Sequence, residues 1–397
     1  QVSKGKLYVL PFESNNQTQL SGGKKEDLDG QQFTFVAREL AGAFDSAGFT
    51  VDVIKHQDIP DRDLYVYNVK TDKLEKSVRS LGTLLFGLDV DSSGNVFVAH
   101  TDARNHANGR AGTKGHGLKE LENRPYLNRV AKVSPKGKVD FIHLNPLPPS
   151  QPNRSEGLAT PFAIEVTEGL ICLTAAGSDR LVTLEPESGK ILGRVKVGGV
   201  PRGIKLELDD QGKPTSAWVF NAVENSLSKV DLRSPSLPKV TAELPLHDPT
   251  PSEYKDGRLA FNTARASSFN TASCASCHPD GHTDHQLWVL DTPYLVGADQ
   301  IEPRLSQTLR GLRGTAPHHW DGVPGDPYGG PNASTRDFLE PNSDLAKPES
   351  AVRHVIDLSM SSTMLMDGSD KKNDEGKTAS VTSYDSAHLA SFLRNLS

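Results

Sequence analysis

Thr160-Pro-Phe-Ala-Ile164, Gly169-Leu-Ile-Cys-Leu-Thr174, Asp179-Arg-Leu-Val-Thr-Leu184 and Lys190-Ile-Leu-Gly-Arg-Val-Lys-Val197 are four short apolar runs punctuated by Thr-Glu-Gly, Ala-Gly-Ser-Asp and Glu-Ser-Gly. Runs of this length, rich in β-branched residues and bounded by turn formers, read as strands. The pattern restarts 40 residues after Pro161, at Val200-Pro-Arg-Gly-Ile204. It continues through Trp218-Val-Phe-Asn221 and Ser226-Leu-Ser-Lys-Val-Asp231 and ends near Val240. Four strands in about 40 residues, repeated, is the arithmetic of a β-propeller blade.

Two looser copies precede these. Phe86-Gly-Leu-Asp-Val90, Asn95-Val-Phe-Val-Ala99 and Asn128-Arg-Val-Ala-Lys-Val133 supply strands around a polar, Gly-rich and His-containing insertion at residues 101–125, expected to be a loop. Lys6-Leu-Tyr-Val-Leu10, Asp63-Leu-Tyr-Val-Tyr67 and Lys73-Leu-Glu-Lys-Ser-Val78 flank a second insertion near residues 15–60. Within it Phe35, Val36, Leu40, Ala43 and Phe44 recur at helical spacing and predict one short helix over 33–47. About four blades are visible, short of the seven usual in the family resembled below. The expectation is that blades precede Gln1 or that a partner chain completes the ring.

The bulk numbers agree with many short elements. The chain has 397 residues, 36% of them hydrophobic, with 34 Gly and 26 Pro. A net charge of -6 with no basic block argues against a nucleic-acid partner. No apolar run reaches the eighteen or so residues of a membrane span. Gln1–Leu10 lacks the cationic and apolar regions of a signal peptide, so a mature or trimmed form is expected. Three cysteines do not make a disulfide framework, and Cys172, inside an apolar strand, reads as a small buried hydrophobe.

The blade repeat resembles the YVTN-type propeller family, in which a Thr-Pro-Phe-Ala-Ile strand, a turn and a Gly-Lys-Ile strand recur. The resemblance covers roughly residues 60–240 and implies a fold, not an activity.

Pro245, Pro249 and Pro251 mark a linker, and the strand pattern stops there. Residues 1–250 therefore read as the propeller domain and 251–397 as a second domain. In the latter, Cys274-Ala-Ser-Cys277-His278 has the spacing of a c-type haem attachment motif. Two thiols three residues apart reach the two vinyl groups on one porphyrin edge, and the next residue turns an imidazole to the iron. A zinc site would need two more ligands, from His282, His285 or distant groups; a redox dithiol would need a βαβ setting.

Gly257-Arg-Leu-Ala-Phe261, Cys274-Ala-Ser-Cys-His-Pro-Asp-Gly281, Thr308-Leu-Arg-Gly-Leu-Arg-Gly-Thr-Ala-Pro-His-His-Trp-Asp-Gly322 and the closing helix at Ser386–Leu396 together resemble the C-terminal haem domain of di-haem cytochrome c peroxidases. The closing helix carries an apolar stripe of Leu389, Phe392, Leu393 and Leu396. The resemblance implies a mostly α cytochrome c fold with one covalent haem c and a loop at 315–322 beside it. Those peroxidases carry two haem motifs; this chain has one, and it resembles the electron-passing one.

His278 is the expected proximal ligand. A His/Met pair is the common electron-transfer choice, and all three methionines fall at Met360, Met364 and Met366. In the resembled domains the ligand Met lies just before a Gly-containing turn ahead of the final helix, which favours Met366, then Met364, then Met360. His318 and His319 are the rival distal ligands. Trp320 is expected at the macrocycle edge or on the electron path, and Arg310 and Arg313 are candidates for the haem propionates or for plain surface pairing. His282 and His285 read as solvated loop residues. Asp321–Asp326 is oxygen-rich enough for calcium, with a plain turn as the alternative. His100, Asp102, His106 and His116 cluster around a loop, at no defined metal spacing.

The leading expectation is a periplasmic or extracellular mono-haem cytochrome passing single electrons between redox protein partners, the propeller serving as docking platform. The alternatives are a haem enzyme, peroxidase-like or oxidase, with its substrate at the propeller/haem interface, and an electron-relay subunit of a larger cytochrome complex.

Overall fold

A computed structural model describes residues 1–13, 18–19, 53–54, 62–105, 121–289 and 303–315, with 318, 352, 356, 392, 393 and 396. The predicted helix at 33–47, His106, His116, His319, Trp320, the 321–326 segment, Met360, Met364 and Met366 lie outside the described residues. The chain divides into two compact units, one of residues 1–16, 56–103 and 126–249, the other of residues 17–55, 104–125 and 250–397. Both insertions thus belong to the same unit as the C-terminal segment.

The first unit is all-β. Its four sheets are antiparallel and four-stranded. The first contains β1 (Val2–Ser3), β2 (Lys6–Val9), β5 (Leu64–Asn68) and β6 (Leu74–Val78); β3 (Thr18–Gln19) and β4 (Val53–Ile54) pair with each other in the insertion between β2 and β5. The second is built from β7 (Leu84–Val90), β8 (Val96–Ala103), β9 (Tyr126–Val133) and β10 (Val139–His143). β11 (Pro161–Val166), β12 (Ile171–Ala175), β13 (Arg180–Leu184) and β14 (Ile191–Lys196) make the third. β15 (Pro201–Leu208), β16 (Pro214–Asn221), β17 (Ser226–Asp231) and β18 (Lys239–Pro245) make the fourth. In each the strands neighbour one another in chain order, the up-and-down meander of a propeller blade.

Successive sheets pack face on face through three apolar cores. Tyr8, Leu64 and Val66 meet Val96 and Val98 of the next sheet. Phe97, Ala99 and Val130 meet Ile171, Leu173 and Val182. Cys172 and Leu181 meet Ala217, Val219 and Val230. Each strand therefore sends alternate residues to the blade before and the blade after, which is why the sequence runs read as continuously apolar.

Polar side chains fix each crossing. Asp63 accepts N–H bonds from Leu81 and Gly82, Asn128 from Thr160 at 2.8 Å and Asp179 from Val200 at 2.9 Å. Each is an acid or amide at or near the start of a third strand, holding the turn into the next blade. Those turns carry a left-handed residue, Ser80 (φ 58°), Thr160 (φ 52°) or Val200 (φ 58°), which the held N–H helps to keep in place. Along the innermost strands Asp89 reaches forward to Val166 N (2.8 Å) and Glu165 to Leu206 N (2.9 Å). Gly87 lets adjacent inner strands close up: a Cβ there would sit 2.4 Å from the Phe162 carbonyl oxygen.

One expectation is corrected here. His100 and Asp102 are not on a loop. β8 runs on to Ala103, which pairs with Tyr126, so the insertion begins only at Arg104. His100 is fully buried, with Gly82 against its ring and Phe141 at 5.9 Å, while Asp102 pairs with Arg129 at 2.7 Å. Among the described residues no group of three or more His, Cys, Asp or Glu side chains is placed to hold a metal ion.

In the second unit the described elements are the β3–β4 pair, α1 (Ser252–Asn262), the single turn α2 (Cys274–Cys277) and a two-stranded ladder of β19 (Leu287–Val289) and β20 (Pro303–Leu305), with short 3-10 turns. The ladder was not anticipated from sequence. No described helix is long and apolar enough to cross a membrane.

Candidate cofactor site

α1 starts after Pro251, its N-cap in a non-helical conformation (φ −55°, ψ 138°), and Glu253 in the first turn suits its N-terminal dipole. Gly257, Ala260 and Phe261 fall at i, i+3 and i+4 and form its buried stripe. Phe261 packs on Phe392 with ring centroids 5.6 Å apart at 54°. Leu393, Leu396, Val352, Ile356 and Cys274 complete that core. Three members of the predicted closing stripe therefore pack against α1 and the motif, and the fourth, Leu389, lies outside the described residues.

α2 is one turn long. Ser273 N–H donates to Ser276 Oγ at 3.0 Å, and His278 N–H closes the turn on the Cys274 carbonyl at 3.0 Å. Cys274 and Cys277, at i and i+3, share one side of that turn. Neither cysteine is in a disulfide, and burial pushes the Cys274 thiol up to about 11. The chain then folds back: Asp284 N–H donates to the Cys277 carbonyl at 3.0 Å.

His278 Nδ1 lies 3.2 Å from the His282 carbonyl oxygen. With the proton on Nδ1 and donated there, the lone pair falls on Nε2, the arrangement metal-ligating histidines use. Burial holds the imidazole below its ordinary pKa, opposed by the Asp284 carboxylate and by backbone hydrogen bonds to His282 and Gln307. Asp284 is itself buried and fixed by Trp288 Nε1 at 3.0 Å and Gln286 N–H at 2.9 Å. Asp284 and Trp288 were not singled out from sequence; only the tertiary fold brings them to the motif.

The turn after the motif is clamped. Gly281 has φ 81°, and a Cβ there would meet Leu396 Cδ2 at 2.2 Å. Its carbonyl accepts Leu309 N–H at 2.8 Å and the Thr308 hydroxyl at 3.3 Å. Arg310 donates from Nε and Nη2 to the Asp280 carbonyl at 3.2 and 3.0 Å. Its guanidinium is thus engaged in holding the turn, whereas Arg313 is exposed. His318 is half-buried, and burial lowers its pKa; His282 and His285 are exposed. The donor set fits a covalent haem: two cysteines outside any disulfide on one turn, an oriented imidazole beside them, and an apolar wall running from Cys274 to Phe261.

No family model matches the chain, and no curated protein does. Among solved structures it is similar to a streptogramin B lyase (13% identity, 50% of this chain and 52% of that one, TM-score 0.30). It is also similar to the hydrazine synthase of Kuenenia stuttgartiensis (12%, 45% and 54%, 0.33) and to a protein from Lactobacillus plantarum (12%, 50% and 53%, 0.32). The chain spans about half the length of these proteins. At such TM-scores the likenesses carry no argument, and the blade architecture rests on strand order and register.

Proposed function

We propose that this chain is a mono-haem c-type cytochrome that passes single electrons between redox proteins in the periplasm or outside the cell, its propeller acting as docking platform. One observation carries the reading: Cys274, Cys277 and His278 lie together on and just after a single helical turn, neither cysteine is in a disulfide, and the imidazole Nδ1 is engaged by the His282 carbonyl. Cys274 and Cys277 would hold the group by thioethers, and His278 Nε2 would ligate its iron. When bound, the haem supplies a one-electron couple, with a potential tuned by axial ligand, hydrogen bonding and burial.

The protein's own part is to hold and insulate. His282 fixes the imidazole plane, the Gly281–Leu309–Arg310 clamp fixes the turn that carries it, and the Phe261–Phe392 wall keeps water from one side. Met366 is the proposed sixth ligand, with Met364, Met360, His318 and His319 as alternates; Trp320 is proposed at the haem edge and Arg313 at a propionate. The family expectations, a YVTN-type propeller and a haem domain akin to the electron-passing one of di-haem peroxidases, stand within this proposal.

The test is chemical. Protein produced with a c-type haem maturation system should keep its absorption through acid–acetone extraction, and the double variant Cys274→Ala, Cys277→Ala should lose it. Haem that extracts freely from the wild type refutes the reading. Met366→Ala should lower the midpoint potential and open the iron to cyanide, whereas Met360→Ala should leave both unchanged.

A further inference from the structure

Asp284 stands outside the set of Cys274, Cys277 and His278, yet the fold buries its carboxylate beside that turn. Its backbone N–H donates to the Cys277 carbonyl at 3.0 Å, which lays residue 284 alongside the two residues that end the motif. The side chain is 1% exposed, and both of its oxygens are used. Oδ1 accepts Gln286 N–H at 2.9 Å, and Oδ2 accepts the indole N–H of Trp288, itself buried, at 3.0 Å. Gln286 is pinned in turn: its Nε2 donates to the Asp284 carbonyl at 3.1 Å and its Oε1 accepts Asn105 Nδ2 at 3.4 Å. An ionised carboxylate only accepts hydrogen bonds, and two N–H groups aimed at its two oxygens suit that form.

Burying an anion is expensive, and an amide at this position would accept the indole N–H without that cost. The charge is therefore the feature that asks for a use. Its nearest consequence falls on His278. Among the influences that favour a proton on that imidazole against burial, the Asp284 carboxylate comes first, ahead of the hydrogen bonds to the backbone of His282 and Gln307.

We infer that Asp284 is the buried anion that sets the potential of the group carried by Cys274, Cys277 and His278, holding that potential low by favouring the oxidised form. The inference rests on the haem reading above and deepens it. The two forms of a one-electron couple differ by one positive charge, so a fixed negative charge beside the ligating histidine stabilises the oxidised one. The electron comes from the redox partner, which must then supply it at a lower potential. Hydrogen bonding and burial around an axial ligand are the protein's levers on a haem potential. Here the roles divide: the His282 carbonyl orients the ring, Asp284 supplies the charge, and Trp288 keeps the carboxylate from turning out to water. A charge within the protein acts through a low dielectric and is little screened by salt.

Redox titration of the full chain, matured with haem, tests the inference. Asp284→Asn removes the charge and keeps the size. It should move the ferric-to-ferrous ratio about tenfold towards ferrous at a given potential, a rise of about 59 mV in the midpoint. The rise should persist in high salt, and Asp284→Glu, which keeps the charge, should show little of it. Trp288→Phe removes the anchor and keeps the carboxylate, so its midpoint should stay level or fall. That variant also decides the matter where Asp284→Asn does not fold, because a general loosening of the site would raise both midpoints alike. A midpoint indifferent to Asp284→Asn, a rise that salt abolishes, an equal rise in Asp284→Glu, or a rise in Trp288→Phe would each overturn the inference. Acid–acetone extraction of the same samples keeps the two readings apart. Haem that extracts freely from the wild type overturns the haem reading itself, whereas retained haem with an unmoved midpoint overturns only the role of Asp284.

Discussion

Replacing His100 by leucine isolates the cost of burying an imidazole that cannot take up a proton. Neither ring nitrogen completes a hydrogen bond, and only the Thr101 backbone lies near enough to favour the charged form. Burial, helped by the Arg129 guanidinium and by His143, lowers the pKa from 6.5 to about 3. The folded state therefore stays neutral while the unfolded chain protonates. Stability is unaffected above pH 6.5 and is lost as the pH falls from there towards 3. At pH 5 the unfolded imidazole is about 1.5 units below its pKa, worth about 2 kcal/mol. Urea titrations followed by the far-ultraviolet signal of the sheets should show wild-type protein losing about 2 kcal/mol more than His100→Leu between pH 7 and pH 5. His143, also lowered by burial, is common to both proteins and largely cancels in the difference. Equal losses within about 0.5 kcal/mol would show that the ring is protonated or solvated in the folded state.

Gly87→Ala should cost about 1–3 kcal/mol, because its Cβ would press on the Phe162 carbonyl oxygen, whereas Gly169→Ala, with nothing within 4 Å, should be nearly neutral; thermal unfolding of the two separates the cases. Phe97→Ala, emptying a fully buried position between the second and third sheets, should cost about 3–5 kcal/mol by urea titration. Asp179→Ala should cost about 1–2 kcal/mol and raise amide exchange at Val200, which loses its acceptor. Cys172, buried and with its thiol pushed up to about 12, should resist iodoacetamide at pH 8 until the sheets unfold; mass spectrometry of the labelled peptide reads this directly.

The blades were legible in the sequence because a strand buried on both faces must be apolar throughout and the turns between strands need Gly, Asp and Asn. Both signals are local, and they recur every 40 residues or so. The Cys274-Ala-Ser-Cys277-His278 turn was legible for the same reason, since the spacing that puts its two cysteines on one side lies within a single helical turn. β10 and the β19–β20 ladder were not read. β10 alternates polar and apolar with exposed residues at the blade's outer edge, and the ladder joins segments on either side of residues 290–302.

Only the tertiary structure decided the rest. Asp63, Asn128 and Asp179 look like unrelated polar residues until the blades stand side by side and each is seen holding the next blade's turn. His100 looked like a loop residue because the strand pattern stops being apolar at Thr101, yet hydrogen bonding to β9 carries β8 on to Ala103 and buries the ring. Asp284 reaches the Cys274–His278 turn only through the fold-back of its chain, and the exposure of Val9 on the first sheet and Phe220 on the fourth depends on which face of each sheet packs on its neighbour. Sequence determines what is encoded within one turn or one strand; contacts made across blades and around the Cys274–His278 turn depend on which faces the fold brings together.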